Sequence, residues 1–178
     1  MKDVIEHSNP WFSVTRRETD GRQWFRVMRP DSAMMIAVDA AGGIVVVEGT
    51  RDTTGADVCV EFPCGAVEHG EDPSAAAVRE TIEETGCVVS APKLIGSFVE
   101  SPGISAAVCH VFTGVIERWH DQELEPGEDW AVRMLSSQEL RARVSDGRIR
   151  DAGTLAALAM LHAQEPARIS RLPSNGRG

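Results

Sequence analysis

The stretch GAVEHGEDPSAAAVRETIEETGC, residues 65–87, constrains this chain more than any other. Asp72 suits an N-cap, Pro73 a first turn and Gly86 a left-handed stop, so the sequence marks both ends of one helix. At about 100° per residue, Ala75, Val78 and Ile82 fall on one stripe, which is expected to face the core. Glu80, Glu83 and Glu84 fall on the other side, within an arc of roughly 100°. Like charges three and four positions apart cost a few tenths of a kcal/mol each, and acids near a helix C-terminus oppose its dipole by about 0.3–1 kcal/mol. The face is unfavourable unless a cation meets it. Hard oxygens on a rigid helix suit Mg²⁺ or Mn²⁺, whereas an isolated ExxEE would otherwise read as a solvated acidic face.

The flanking runs decide what surrounds this helix. WFSVTRRETDGRQWFRVMR holds two alternating stretches around Asp20-Gly21, a hairpin signal, and AMMIAVDAAGGIVVVEGTR repeats the form around Gly42-Gly43. DVCVEF, APKLIGSFVES, AAVCHVFTGVIERW and WAVRML read as further strands. Two helices close the pattern: SSQELRARVSD, where Ser136 and Glu139 have capping-box spacing, and DAGTLAALAMLHAQ, whose apolar residues are expected to be packed. No internal repeat or linker-like break interrupts the chain, so it reads as one α+β domain. From Pro166 the apolar period is lost, and residues 166–178 read as a mobile tail.

The net charge of −9 over 178 residues argues against a general electrostatic grip on nucleic acid or an anionic membrane, though not against a nucleotide held through metal. The longest apolar runs fall short of the roughly 20 residues a membrane span needs, and no basic-then-apolar leader opens the sequence. A cytoplasmic protein is expected. Cys59, Cys64, Cys87 and Cys109 have neither CxxC spacing nor the density of a disulfide scaffold, and read as small core residues in a reducing compartment.

Spacing turns the acidic helix into a signature. Gly65, five residues, Glu71, seven residues, Arg79-Glu80, two residues, Glu83-Glu84, one residue and Gly86 reproduce the box of the Nudix hydrolases, which this chain resembles. Thr81 and Cys87 stand where the box usually carries aliphatic residues. The resemblance implies a Nudix fold: a mixed β-sheet sandwiched between helices, here with an N-terminal antiparallel β region over 1–40 that serves dimerisation and a catalytic domain over 41–165. It implies hydrolysis of a nucleoside diphosphate linked to another group, X, with Mg²⁺ or Mn²⁺ as cofactor. By position, Glu80 and Glu84 resemble the main carboxylate metal ligands, Glu83 a further ligand or the base, and the Cys64 carbonyl a backbone ligand. Gly65, Glu71, Arg79 and Gly86 resemble the structural members, with Arg79 pairing to Glu71 or Glu83.

Residues outside the box are similar to the ADP-ribose pyrophosphatase subgroup over roughly 11–164. EFPCG, containing Glu61, resembles that group's entry to the box, Arg51 stands where it carries a substrate-side arginine, and Pro102 lies sixteen residues beyond Gly86, at its downstream proline position. GRIRDAGTLAALAML resembles its ending. The resemblance makes Arg51, Glu61 and Pro102 candidate substrate contacts. The subgroup's base comes from an acidic loop, here HDQELEPGEDW, but its expected position falls near Pro126. Glu125 and Glu128 are the neighbouring candidates, and a solvated loop the alternative. The subgroup resemblance implies ADP-ribose as substrate, but EGTRDTTGAD lacks the subgroup's glutamine and aromatic, so a drift of specificity from ADP-ribose toward another nucleotide sugar is expected.

Trp11, Phe12, Trp24 and Phe25 are available to stack on a base, although core packing is the first expectation for each. The resemblance implies that the N-terminal strands cross to a second subunit in a homodimer, completing its site. His110 and His120 read as structural. Two other functions stay open: a nucleotide-binding sensor without turnover, and a Nudix enzyme acting on nucleoside triphosphates. Intact box glutamates weigh against the first, Pro102 and the long N-terminal β region against the second.

Overall fold

The computed structural model describes residues 3–51 and 55–164, and the 166–178 tail expectation lies outside them. A three-stranded antiparallel sheet comes first: β1 (Val4–Ser8), β2 (Ser13–Thr19) and β3 (Arg22–Met28), in that spatial order. Asp20 and Gly21 both have positive φ, 53° and 72°, the backbone of a two-residue hairpin turn whose twist matches its strands.

Ten strands and three helices are present among the described residues. The larger sheet has seven strands: β4 (Ser32–Val38), β5 (Ile44–Arg51), β6 (Gly55–Glu61), β7 (Cys64–Ala66), β8 (Cys87–Val99), β9 (Val108–Trp119) and β10 (Ala131–Leu135). Their order is β10-β5-β4-β9-β8, with β6 beside β5 and β7 beside β4. β4 and β9 run parallel while the remaining pairings are antiparallel, so the sheet is mixed. β4 lies within the 1–40 span that sequence assigns to the N-terminal region, yet it is the hub of the larger sheet.

The core follows from β4. Its run AMMIAV is buried on both faces, and alternate side chains serve different layers. Met34 and Ile36 join Leu140 of α2 (Ser137–Ser145) and Ala157 of α3 (Ala152–Ala163) on one side. Ala33, Met35 and Ala37 meet Ala76 and Ala77 of α1 (Pro73–Thr85) on the other. Helices on both faces of a mixed sheet give the α+β sandwich expected of a Nudix fold.

Three expectations need correction. In α1 the buried residues are Ala76, Ala77, Thr81, Glu84 and Thr85, whereas Ala75 is exposed and Val78 and Ile82 are half-buried. Small residues let the helix approach the sheet closely, and this rolls the acidic side inward. The N-terminal aromatics are surface residues: Trp11 is 73% exposed, Trp24 57%, Phe25 52% and Phe12 39%. α3 is also less enclosed than its apolar sequence suggests, with Leu155 exposed and only Thr154 and Ala157 buried. All four cysteines are free; Cys59, Cys87 and Cys109 are buried and Cys64 half-buried.

Candidate active site

Local chemistry fixes both ends of α1. The Asp72 carboxylate accepts from the Ser74 amide at 2.8 Å, and Gly86, at φ 72°, donates its amide to the Ile82 carbonyl at 2.7 Å. A side chain at position 86 would also overlap the His120 carbonyl. Gly65 has a different reason to be glycine, because a Cβ there would occupy the space of the Glu80 carboxyl.

Arg79 joins the loop before α1 to the helix. Its Nε and Nη2 each donate to Glu71 at 3.0 Å, Nη2 also donates to the Ala66 carbonyl at 2.8 Å, and Nη1 reaches Glu80 at 2.7 Å and Glu83 at 3.0 Å. The guanidinium holds the Glu71 carboxyl below its ordinary range, and Glu71 in turn leads the groups that raise Arg79. One cation therefore stands among three box carboxylates.

Glu84 is the extreme case. It is 4% exposed, and its Oε2 accepts from the Cys64 amide at 3.0 Å. Burial pushes its pKa up to about 8 against that hydrogen bond, with Glu128 and Glu80 adding repulsion and Arg51 partly offsetting it. Burial also raises Glu80, opposed by Arg79. Among the described residues no three His, Cys, Asp or Glu side chains converge as a ready-made metal cage. The donor chemistry nevertheless fits a hard divalent cation: desolvated carboxylates from one helix face carry negative charge that a single guanidinium does not balance.

Beside this face opens a cleft of about 760 Å³ whose lining includes Gly65, Cys64, Arg51, Glu61, Trp11 and Phe12. Arg51 forks onto Glu61, with Nε at 3.0 Å and Nη2 at 2.6 Å from the carboxylate, and its guanidinium lies 4.8 Å from the centre of the Trp130 ring. Two sequence candidates thus form one fork. Pro102 is not among the residues lining this cleft; it borders a separate recess of about 570 Å³ with Trp24 and Phe25.

The acidic loop reaches the box. Glu125 is exposed and Glu128 half-buried, and the charge of Glu125 acts on Glu80 as that of Glu128 acts on Glu84. Pro126 is exposed, followed by Gly127 at φ 100°, and the Glu125 amide donates to the Glu128 carboxylate at 3.0 Å across this turn. His110 shares a hydrogen bond with Ser97 at 3.1 Å and lies 3.8 Å from Asp31, while His120 Nε2 accepts from Arg118.

Sequence reasoning overlooked Arg29, Glu100 and Asp151 in the cleft. Glu100 pairs with Arg29 and accepts from Ser32 Oγ at 2.5 Å. Asp151 caps α3 through the Thr154 amide at 2.6 Å, its other oxygen is buried without a hydrogen-bond partner, and burial raises its pKa. The DAGT cap signal was available for Asp151, but its place beside Glu61 depends on tertiary packing.

A family model described as NUDIX domain matches residues 28–158. The chain is similar to the methanol dehydrogenase activator of Bacillus methanolicus, 31% identical over 141 residues, which cover 78% of this chain and 76% of that relative. It is similar to the ADP-ribose pyrophosphatase of Bacillus subtilis (strain 168), 31% identical over 143 residues with the same two coverages. A shorter likeness, 38% identical over 73 residues, links it to the ADP-sugar pyrophosphatase of Mus musculus, covering 41% of this chain and 33% of the relative.

Proposed function

The chain belongs to the Nudix family, and from that premise we propose that it cleaves the diphosphate linkage of ADP-ribose or another nucleotide sugar, releasing a nucleoside monophosphate and a sugar phosphate. The observation that carries this reading is the burial of Glu84 with its carboxylate fixed on the Cys64 amide beside the cleft. Two relatives named as ADP-ribose and ADP-sugar pyrophosphatases support the substrate class.

Glu80, Glu84, Glu83 and the Cys64 carbonyl would hold Mg²⁺ or Mn²⁺. When bound, the cation neutralises the diphosphate and makes the attacking water more acidic. Arg79 keeps the carboxylates spaced before the cation arrives, and Gly65 leaves room for Glu80 to swing. Arg51, preorganised by Glu61 and Trp130, presents guanidinium charge at the cleft, and Trp11 and Phe12 of the same chain supply a stacking surface for the base. Glu125 or Glu128 accepts the proton of the attacking water, with Glu83 the remaining candidate. Pro102 acts with the N-terminal sheet, whose exposed aromatics fit a homodimer interface. No helix among the described residues is long and apolar enough to cross a membrane; a cytoplasmic setting for the reaction is proposed on the four free cysteines.

Product analysis over ADP-ribose, nucleotide sugars and nucleoside triphosphates, with Mg²⁺ in H₂¹⁸O, tests the proposal. The label is expected in a phosphate product. Label on the anomeric carbon would overturn the chemistry, faster triphosphate turnover would overturn the substrate class, and binding without turnover would favour a sensor.

A further inference from the structure

The loop of residues 120–130 docks on the carbonyls at the C-terminal end of α1. A helix leaves its last four carbonyls without internal partners, and here the loop supplies donors for two of them, Glu83 and Glu84, and for the cap residue Gly86. The His120 amide donates to the Gly86 carbonyl at 2.7 Å and the Glu123 amide to the Glu83 carbonyl at 2.9 Å. Between these two, the Gln122 side chain does something backbone amides cannot. Its Nε2 donates to the Glu84 carbonyl at 2.6 Å and to the Trp130 carbonyl at 3.0 Å, joining the start of the loop, its end and the helix through one nitrogen. Both partners are acceptors only, so the amide orientation is fixed.

The segment closed by this bridge contains the Glu125–Glu128 turn, where the Glu128 amide also donates to the Glu125 carbonyl at 3.0 Å. Neither carboxylate reaches the helix through a direct hydrogen bond shown in the structure; the distance between turn and acidic face is set by where the loop is pinned. We propose that Gln122 is a positioning residue for hydrolysis, fixing the acidic loop on α1 so that a loop carboxylate meets the water attacking the diphosphate. This rests on the reading that Glu125 or Glu128 supplies the base. A residue of this kind acts through placement, and misplacing a reacting group by about 1 Å can cost on the order of 10²-fold in rate.

Steady-state kinetics of the full chain with its best nucleotide sugar and Mg²⁺ provide the test. Gln122→Met keeps the length and removes both donors; it should lower kcat by roughly ten- to a hundred-fold while KM stays within about twofold. Gln122→Lys, whose ammonium can donate to both carbonyls, should recover most of that loss. The double variant Gln122→Met with Glu128→Gln, or with Glu125→Gln if that position carries the larger effect, should be little worse than the worse single one, because both act on one step. If Gln122→Met does not fold, Gln122→Asn, whose shorter amide cannot span both carbonyls, should give the same split between kcat and KM. Wild-type kcat for the Gln122 variants, or losses that simply multiply in the double variant, would overturn the role of Gln122 while leaving the loop carboxylate standing. Wild-type kcat in both Glu125→Gln and Glu128→Gln would overturn the loop reading and Gln122 with it.

Discussion

The three-stranded sheet and the α1 face invert each other. In the first, Trp24 and Phe25 are neighbours on one strand, so they point to opposite faces, and both are more than half exposed. In the second, Glu84 is almost completely buried among the layers that meet β4. Apolar surface left in water and charge taken out of it are both unfavourable for an isolated chain. Each region therefore suits the addition proposed for it above, a protein surface in one case and a cation in the other.

The sharpest way to break this contrast is Glu84→Gln. Activity should fall by roughly 10²–10³-fold, while the metal-free protein near neutral pH should melt higher, because folding no longer has to protonate or bury a carboxylate at this position. Calorimetry with and without Mg²⁺ would check both signs; an undiminished rise of Tm on adding metal would remove Glu84 from the cation site.

Removing the sheet's apolar surface should act on assembly. Trp24→Ser with Phe25→Ser is expected to weaken self-association by at least about tenfold, since each buried aromatic contributes on the order of 1.5–3 kcal/mol. Sedimentation would show a monomer, and KM should rise if a partner subunit completes the pocket. A monomeric wild-type chain would end the comparison on this side.

The two box glycines separate site from scaffold. Gly86→Ala should cost about 1–3 kcal/mol, because φ is positive and the new methyl meets backbone. Gly65→Ala meets first the movable end of Glu80, so urea unfolding should change little while activity drops. Equal loss of stability in both would contradict this division.

The remaining test is a slope. Glu84 titrates near 8 when folded and near the ordinary 4.5 when unfolded, so folding takes up a proton between those values. Stability of the metal-free protein from this group is complete below about pH 4.5 and is lost as pH rises through about 8. The Tm profile should flatten in Glu84→Gln and with Mg²⁺ present.

What the sequence revealed was mostly local. Caps at Asp72, Gly86 and Ser136 and the Asp20-Gly21 turn depend on a few adjacent residues, and they lie where spacing put them. The buried face of α1 is turned from the expected stripe of Ala75, Val78 and Ile82 because close contact with the sheet favours small side chains, here Ala76 and Ala77. β1 escaped notice because five residues carry little pattern. β8 begins at Cys87, four residues ahead of the strand expected from Ala91, and Pro92 lies inside it, which the edge strand of a sheet tolerates. The fork of Arg51 on Glu61 and the bridge made by Gln122 join positions that no local pattern connects.

β4 has a consequence for how the chain is made. Its parallel partner β9 follows far along the sequence, with the Val108 amide reaching the Asp31 carboxylate 77 positions away. The N-terminal hairpins, and the pairing of β4 with β5 and β7, can close early, but the β9 edge of β4 must wait for most of the polypeptide. During that interval its apolar run and the nearby tryptophans are available to other nascent chains. Slower translation after β7 should therefore raise aggregation, and expression with abundant chaperone should relieve it.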